Sequence, residues 1–213
     1  TTPTAISLIE TDNNGCTTQN PATKSVIVNS LSGVITIDGL TAICEGASTT
    51  YSITDGANST STYDWTYTHK NETTVNVNDS DDLTIDFSSV ATTPTTITVQ
   101  ETNSSGCASD SIIASLDVIV NDRPTTATIN GDNDVCEGDN ENYALDSPVG
   151  TSTYNWTYTH QGETPTNVSS QDNIDINFSG VNNTPTVITL SETNNNGCIT
   201  ATDATFSVVV NSR

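Results

Sequence analysis

Five cysteines are the side chains best suited to covalent chemistry in this sequence of 213 residues. Cys44 and Cys136 each begin a Cys-Glu-Gly triplet, whereas Cys16, Cys107 and Cys198 each follow a Glu-Thr-Asx-x-x-Gly segment. These recurring settings indicate disulfides formed in an oxidising compartment. Because five is an odd number, we expect Cys16 to pair with a partner outside the chain, as in a piece cut from a longer array.

The two histidines, His69 and His160, stand 91 residues apart in matching segments. A zinc site or a catalytic dyad needs partner residues, and neither histidine has a second histidine or paired thiolates within its own repeat. We therefore expect both to pack on aromatic rings at strand ends, and we expect no catalytic residue and no bound cofactor other than the Ca²⁺ considered next.

Two clusters of acidic residues offer the oxygen ligands that Ca²⁺ takes. The candidate ligands are Asp79, Asp81, Asp82, Asp132 and Asp134. Neither cluster matches an EF-hand loop, and the equivalent segments of the other repeats lose most of these carboxylates. The alternative interpretation is a solvated surface whose charge keeps unpaired strand edges from associating. Both interpretations remain open.

The overall charge excludes two classes of partner. The chain has 26 Asp and Glu against 4 Lys and Arg, which gives a formal net charge of -22. Four scattered cations cannot neutralise a row of phosphates, and we therefore expect no nucleic-acid partner. The same charge argues against anionic membrane surfaces, and no apolar run is long enough to insert into a bilayer.

The sequence repeats itself at a spacing of about 91 residues. Tyr63-Asp-Trp-Thr-Tyr-Thr-His69 superposes on Tyr154-Asn-Trp-Thr-Tyr-Thr-His160, and the segment from Ile6 to Cys16 matches the segments that end at Cys107 and Cys198. The pattern predicts the last hairpin of a preceding repeat in residues 1–30, a first full repeat in 31–122 and a second in 123–213.

Within each full repeat, short alternating runs between Gly, Asn, Asp and Pro clusters predict about seven strands. For the second repeat these are Thr126–Asn130, Glu141–Leu145, Tyr154–Thr159, Asn167–Ser169, Ile174–Phe178, Thr186–Glu192 and Ile199–Val210. The third strand carries a tryptophan, Trp65 or Trp156, which we expect to be buried in the core. Seven strands in about 90 residues with such a tryptophan are typical of an immunoglobulin-like β-sandwich.

The order of short motifs supports a family resemblance. Cys-Glu-Gly, then Tyr-x-Trp-Thr, then Ile-x-x-Phe-Ser, then the hairpin ending in Gly-Cys resembles the PKD-like and Ig-like repeats of Bacteroidetes surface proteins. The resemblance implies an all-β chain of tandem Ig-like (PKD-like) sandwiches. It also implies the stalk of a type IX-secreted adhesin, gliding-motility protein or fibre. The usual Trp-Asp-Phe-Gly-Asp-Gly signature is absent, and Trp65-Thr-Tyr-Thr and Trp156-Thr-Tyr-Thr stand instead.

These observations favour a non-catalytic structural segment, a stalk or filament, of a secreted bacterial cell-surface protein. Its expected partners are neighbouring repeats of the same array and other copies of the chain. One alternative is a glycan- or Ca²⁺-dependent adhesive binding module, and another is an accessory module of a secreted hydrolase.

The expected fold restricts the disulfide pairing. In an Ig-like sandwich, Cys44 and Cys107 lie toward opposite ends, separated by most of a strand, or about 23 Å for seven residues. A disulfide needs Cα atoms roughly 4.4–6.8 Å apart, so pairing within a repeat is disfavoured. In a head-to-tail rod, the first-turn end of one repeat faces the last-hairpin end of the next, which favours Cys44 with Cys198 across the joint between repeats. Cys16, Cys107 and Cys136 are then left to partners outside the chain. Pairing within repeats, Cys44 with Cys107 and Cys136 with Cys198, remains the alternative.

Overall fold

The structure is a computed structural model that describes residues 3–31, 33–55, 59–88, 90, 93–108, 113–160, 162–169, 172–181 and 185–213. The strands found in these ranges are β1 Pro3–Leu8, β2 Ala22–Ile27, β3 Thr36–Asp38, β4 Ala42–Cys44, β5 Ser48–Asp55, β6 Thr62–His69, β7 Val75–Val77, β8 Asp82–Asp86, β9 Thr95–Thr102, β10 Ala114–Asn121, β11 Ile129–Asn130, β12 Asp134–Cys136, β13 Asn140–Leu145, β14 Thr153–Thr159, β15 Thr166–Ser169, β16 Asn173–Asn177, β17 Thr186–Thr193 and β18 Ala204–Asn211. No helix occurs in the described ranges, so the protein is all-β.

The described residues form two compact units whose limits differ from those of the sequence repeats. The first unit contains residues 3–41, 48–86 and 93–119, and the second contains residues 42–47, 120–213 and the described part of 87–91. A short segment of the first sequence repeat, residues 42–47, therefore belongs to the compact unit formed mainly by the second repeat.

The second repeat is a sandwich of two sheets. Three strands pair in the order β11-β13-β16 and five in the order β12-β18-β17-β14-β15. Inward positions alternate with outward ones, so that Trp156 and Ile188 of one sheet and Ile176 of the other are completely buried. These residues belong to one hydrophobic core built from both sheets. The alternation predicted from the sequence is therefore the pattern that fills the core.

The first repeat has the same topology. Its sheets follow the orders β3-β5-β8 and β4-β10-β9-β6-β7. Trp65 is completely buried, and its indole Nε1 donates a 2.8 Å hydrogen bond to the carbonyl of Ser80. A buried tryptophan needs such a partner for its only polar atom, so the ring contributes apolar burial without an orphaned donor.

The second repeat differs from the expected strands by more than one residue in three places. The first is limited to Ile129–Asn130, a short strand Asp134–Cys136 that was not expected pairs in parallel with β18, and the last begins at Ala204 rather than Ile199. Ile199 forms only an isolated bridge with Thr193, and the chain bends at residues 201 and 202 before β18 begins.

The first two strands form a hairpin with exposed apolar residues. β1 pairs antiparallel with β2, and every residue of both strands is exposed. Ile6 is 56% exposed, whereas its repeat counterparts Ile97 and Ile188 are completely buried. A hairpin with no sheet packed on its apolar face is marginally stable in water.

We expect the amides of residues 3–27 to exchange rapidly with deuterium in the monomeric chain. The matching hairpin of β9 and β10 packs on a core and serves as the internal control, with exchange slower by several orders of magnitude. Hydrogen exchange followed by mass spectrometry separates the two hairpins. Equal, strong protection in a proven monomer would mean that the first hairpin is stabilised by contacts other than a sandwich core.

A glycine lies against a buried tyrosine in each full repeat. A Cβ added to Gly131 would come 2.7 Å from Cε1 of Tyr143, and one added to Gly39 would meet Tyr51 in the same way. Both rings are completely buried, so they have no space into which to move. Only a residue without a side chain fits here.

The substitution Gly131→Ala is expected to lower the free energy of unfolding by about 1–3 kcal/mol, the usual cost of overpacking. Gly150→Ala is the matched control, because no atom lies within 4 Å of its added Cβ. Urea denaturation of both variants measures the difference. If both variants unfold at the same urea concentration, the close packing of glycine and ring does not hold in solution.

The same two tyrosines make stability sensitive to alkaline pH. Burial raises the pKa of Tyr51 to about 12, and burial, with the nearby charges of Glu141 and Asp132, raises the pKa of Tyr143 to about 12. Each hydroxyl donates to a backbone carbonyl, that of Leu40 at 3.2 Å or Asp132 at 2.9 Å. The folded protein therefore favours the neutral phenol.

Because the pKa is raised on folding, this contribution to stability is complete below about pH 10, the ordinary tyrosine value. It is lost as the pH rises from about 10 to about 12. Thermal unfolding at a series of pH values should show this decline in the natural protein and a smaller decline in a Tyr51→Phe, Tyr143→Phe variant. An identical decline in both proteins would assign the effect to other groups.

Candidate functional site

A disulfide within the second compact unit joins Cys44 to Cys198. Their Cα atoms are 5.5 Å apart, within the range that a disulfide allows, although the residues are separated by 154 positions in the sequence. Cys44 ends β4, and Cys198 lies in the turn between β17 and β18. The bond therefore connects a cysteine of the first sequence repeat to a cysteine of the second.

Cys44 is held by a tight turn at residues 44–47, which we call the Cys-Glu-Gly turn. The amide of Glu45 donates to the carbonyl of Asn121 at 2.9 Å, and the amide of Gly46 donates to the carbonyl of Phe87 at 3.0 Å. Gly46 has a φ of +78°, a backbone conformation that favours glycine. The triplet is thus a structural requirement of the turn that presents the thiol.

Cys198 is held by a second kind of turn at residues 194–198, which we call the hairpin turn. The Asn194 side-chain oxygen accepts hydrogen bonds of 3.0 Å from the amides of Asn196 and Cys198. Its amide nitrogen donates to the carbonyl of Asp122 at 2.9 Å. One asparagine therefore shapes the turn and attaches it to the segment between the two repeats.

Arg123 links the Cys-Glu-Gly turn to Ile199, the residue directly after the hairpin turn, without a covalent bond. Its Nε donates to the carbonyl of Glu45, and its Nη1 donates to the carbonyl of Ile199 at 3.4 Å. A guanidinium carries its donors in a fixed planar fork, so it can bind two carbonyls at once. Arg123 and the disulfide together hold the Cys-Glu-Gly turn beside the hairpin turn.

The other three cysteines form no disulfide in the structure. Cys16 and Cys136 are exposed, and Cys107 is partly exposed. The alternative pairs Cys44 with Cys107 and Cys136 with Cys198 are not formed, because Cys44 and Cys198 are bonded to each other.

Comparison with known families identifies the repeats. The model of the PKD-like domain matches the chain twice, at residues 30–115 and 123–208, which together make up most of its length. The chain belongs to the PKD-like domain family. PKD-like domains are typically non-catalytic modules, and two copies in tandem fit a structural or modular role.

Solved structures to which these PKD-like repeats are similar are distant in sequence. The FN1–FN3 domains of chicken CNTN1 are 13% identical with a TM-score of 0.42, covering 97% of this chain and 74% of that one. The fibronectin(III)-like modules of Clostridium thermocellum CbhA are 12% identical with a TM-score of 0.41, covering 84% and 95%. A two-domain fibronectin type III segment of chicken tenascin is 9% identical with a TM-score of 0.36, covering 82% and 97%.

A search of curated proteins found no match to this sequence. Within the part of the chain that the structure describes, no helix is long and apolar enough to cross a membrane.

The histidines of the two PKD-like repeats are packed alike. Nδ1 of His69 lies 2.8 Å from the hydroxyl oxygen of Thr95, and Nδ1 of His160 lies 2.8 Å from that of Thr186. Each imidazole also contacts the tyrosine ring two residues earlier, with centroids 5.3 and 5.4 Å apart. These are the ring contacts at strand ends that the sequence predicts.

Three of the five candidate Ca²⁺ ligands, Asp79, Asp132 and Asp134, make hydrogen bonds within the protein. The Asp132 carbonyl accepts from Tyr143, and the Asp134 carboxylate accepts from the side chain of Asn211. Asp79 donates its amide to the carboxylate of Asp64 at 3.3 Å. Among the described residues, no three His, Cys, Asp or Glu side chains are grouped closely enough to hold a metal ion.

A cavity of about 280 Å³ in the second PKD-like repeat was not expected from the sequence. Glu192 lies at its wall with Tyr154 and Asp146, and only 8% of the Glu192 side chain is exposed. Ser152 donates a 2.6 Å hydrogen bond to Oε1 of Glu192. Glu192 occupies an inward position of β17 in line with Ile188 and Leu190, and this is the sequence signal that could have pointed to a buried polar side chain here.

Proposed function

We propose that this chain is a non-catalytic, tension-bearing structural segment of a secreted bacterial surface protein or filament. The Cys44–Cys198 disulfide is the observation that carries the proposal, because it joins two successive PKD-like repeats covalently. The motif order that resembles Bacteroidetes surface repeats supports the bacterial surface setting. Disulfides persist outside the reducing cytoplasm, which supports a secreted location.

The disulfide determines which residues carry a stretching force. When the two ends of the chain are pulled, the force passes from Cys44 directly to Cys198 through the sulfur atoms. The 154 positions between them form a covalent loop that bears no tension while the bond is intact. Trp65 and Trp156 lie inside this loop, so the strands that carry them are not extended while the bond is intact. β18 lies outside the loop and carries force, although it supplies Val208 and Val210 to the core of the second repeat.

The surface charge is consistent with a segment that stays separate from its neighbours. A net charge of -22 disfavours non-specific association between copies of the chain. Such a segment can be long and concentrated at a cell surface without aggregating.

Single-molecule stretching tests the proposal directly. The chain is held by its two ends and pulled to full extension with and without a thiol reductant. Reduction should add about 500 Å of extension, because an extended chain spans about 3.3–3.6 Å per residue and the loop covers 154 positions. The Cys44→Ser variant should show the longer extension without reductant, and the Cys107→Ser variant should behave as the natural chain. Equal extension with and without reductant would contradict the proposal.

The second candidate function is a glycan- or Ca²⁺-dependent adhesive module, and the cavity beside Glu192 is the observation that favours it. Retention of the chain on a glycan array, lost on chelation of Ca²⁺ or in the Glu192→Gln variant, would support adhesion. Absence of retention both with and without Ca²⁺ would leave the structural role as the better proposal.

A further inference from the structure

We infer that Cys107 and Cys136 are unfilled halves of the same kind of disulfide site, each built to bond another PKD-like repeat. Cys136 would form a disulfide with the hairpin-turn cysteine of another repeat, and Cys107 would form one with the cysteine in the Cys-Glu-Gly turn of another repeat. This inference rests on the proposed structural function and extends it, because it makes each repeat a linking unit with two reactive ends.

The turn around Cys136 is already formed as it is around Cys44. The amide of Glu137 donates to the carbonyl of Asn211 at 2.8 Å, as Glu45 does to Asn121 at 2.9 Å. The amide of Gly138 donates to the carbonyl of Phe178 at 3.1 Å, matching the bond between Gly46 and Phe87. Parallel pairing of β12 with β18 places the turn as β4 beside β10 places the first one.

An arginine stands at the same position in both sites. Arg213 ends the segment Val-Val-Val-Asn-Ser-Arg, and Arg123 ends the matching Val-Ile-Val-Asn-Asp-Arg. Arg123 binds the Cys-Glu-Gly turn through the carbonyl of Glu45. Arg213 binds the corresponding turn through an ion pair with Asp139, and 65% of its side chain is exposed. The guanidinium that contacts both partners at the filled site is therefore also present at the Cys136 half-site.

The turn around Cys107 is likewise the same as the turn around Cys198. The Asn103 side-chain oxygen accepts from the amides of Ser105 and Cys107 at 3.0 Å each, the two bonds that Asn194 makes. The Asn103 amide nitrogen donates to the carbonyl of Ser30 at 2.8 Å, as Asn194 does to Asp122 at 2.9 Å.

The hairpin turn at residues 12–16 repeats only part of this arrangement. Asp12 accepts from the amides of Asn14 and Cys16 at 2.9 Å each. A carboxylate has no N–H to donate, so this turn lacks the amide donor by which the other two bind the preceding segment. Cys107 and Cys136 are therefore the two unpaired cysteines whose turns match the filled site. At the joint bound by the Cys107 turn, Leu31 stands where Arg123 stands at the filled site.

The bond would form by thiol–disulfide exchange with a small disulfide oxidant such as oxidised glutathione. The thiolate of Cys136 attacks the oxidant, releases one reduced thiol and forms a mixed disulfide. The partner cysteine then attacks Cys136 and releases the second reduced thiol. Two protein thiols are oxidised, one small disulfide is reduced to two thiols, and the two protons remain with those thiols.

An extended chain tests the Cys136 half-site. A second copy of residues 124–213 is added after Arg213, which already occupies the position of Arg123. Serine replaces Cys16, Cys107 and the added copy of Cys136. After oxidation with glutathione, peptide mapping should find Cys44–Cys198 and a second disulfide from Cys136 to the added copy of Cys198. Alkylation of Cys136 in the folded, oxidised chain would overturn the inference.

A second extended chain tests Cys107 independently. A copy of residues 31–91 is placed before Thr1, which keeps the repeat frame because Thr1-Thr-Pro3 matches Thr92-Thr-Pro94. The added copy of Cys44 should bond Cys107, and an unbonded Cys107 in the folded chain would contradict the inference. In both chains, loss of the Cys44–Cys198 bond would contradict the proposed function. An unbonded Cys107 or Cys136 beside an intact Cys44–Cys198 bond would contradict only the inference about the two half-sites.

Discussion

Truncation of Trp156 to alanine is expected to lower the free energy of unfolding of the second repeat by about 3–5 kcal/mol. The indole is completely buried and packs in a core with Tyr143, Ile176 and Leu190. Removing it leaves a large cavity that the two paired sheets cannot close. Because small domains have roughly 5–15 kcal/mol of stability, this single change would remove a large part of the stability of the repeat.

Urea denaturation followed by far-ultraviolet circular dichroism measures this loss. Val209→Ala is the matched control, because Val209 lies on β18 of the same repeat and is 49% exposed. The control should lose well under half as much stability as Trp156→Ala. Similar losses in the two variants would mean that the tryptophan is not the centre of the core.

Replacement of Cys44 by serine is also expected to destabilise the folded chain strongly. Loss of the disulfide should lower the free energy of unfolding by about 2–4 kcal/mol, since the bond restricts an unfolded loop of 154 positions. Cys107→Ser is the control, because Cys107 forms no disulfide in the structure.

A reductant provides the internal test of that prediction. Dithiothreitol should destabilise the natural chain and the Cys107→Ser variant by the same amount, and it should have no further effect on Cys44→Ser. A natural chain whose stability is unchanged by reduction would contradict the role assigned to the bond.

The fold could be predicted because the repeat and the strand pattern are local signals. The alternation in Tyr-x-Trp-Thr-Tyr placed Tyr154 and Trp156 on one face, and the structure buries that face. The strand Asp134–Cys136 could not be predicted in the same way. Three residues carry no periodicity, and their partner strand β18 lies more than seventy residues away in the sequence.

The site was only partly predictable for a related reason. The sequence separates the cysteines into two kinds, and the turns explain why, since one kind requires Gly46 at positive φ and the other the side chain of Asn194. The hydrogen bonds of Arg123 and the assignment of residues 42–47 to the second compact unit depend on tertiary contacts. The cavity at Glu192 likewise appears only when distant strands meet.

Disulfide mapping of the unreduced chain tests the covalent bond between the two successive repeats most directly. Trypsin cannot decide the pairing. The Arg123-Pro124 bond resists cleavage, so residues 71–213 stay in one fragment that contains both Cys107 and Cys198. A glutamate-specific protease separates them, placing Cys44 in fragment 11–45, Cys107 in 102–137 and Cys198 in 193–213. With free thiols alkylated beforehand, fragment 11–45 should be linked to fragment 193–213 by the bond between Cys44 and Cys198. Fragment 11–45 linked through Cys44 to Cys107 of fragment 102–137 would contradict it.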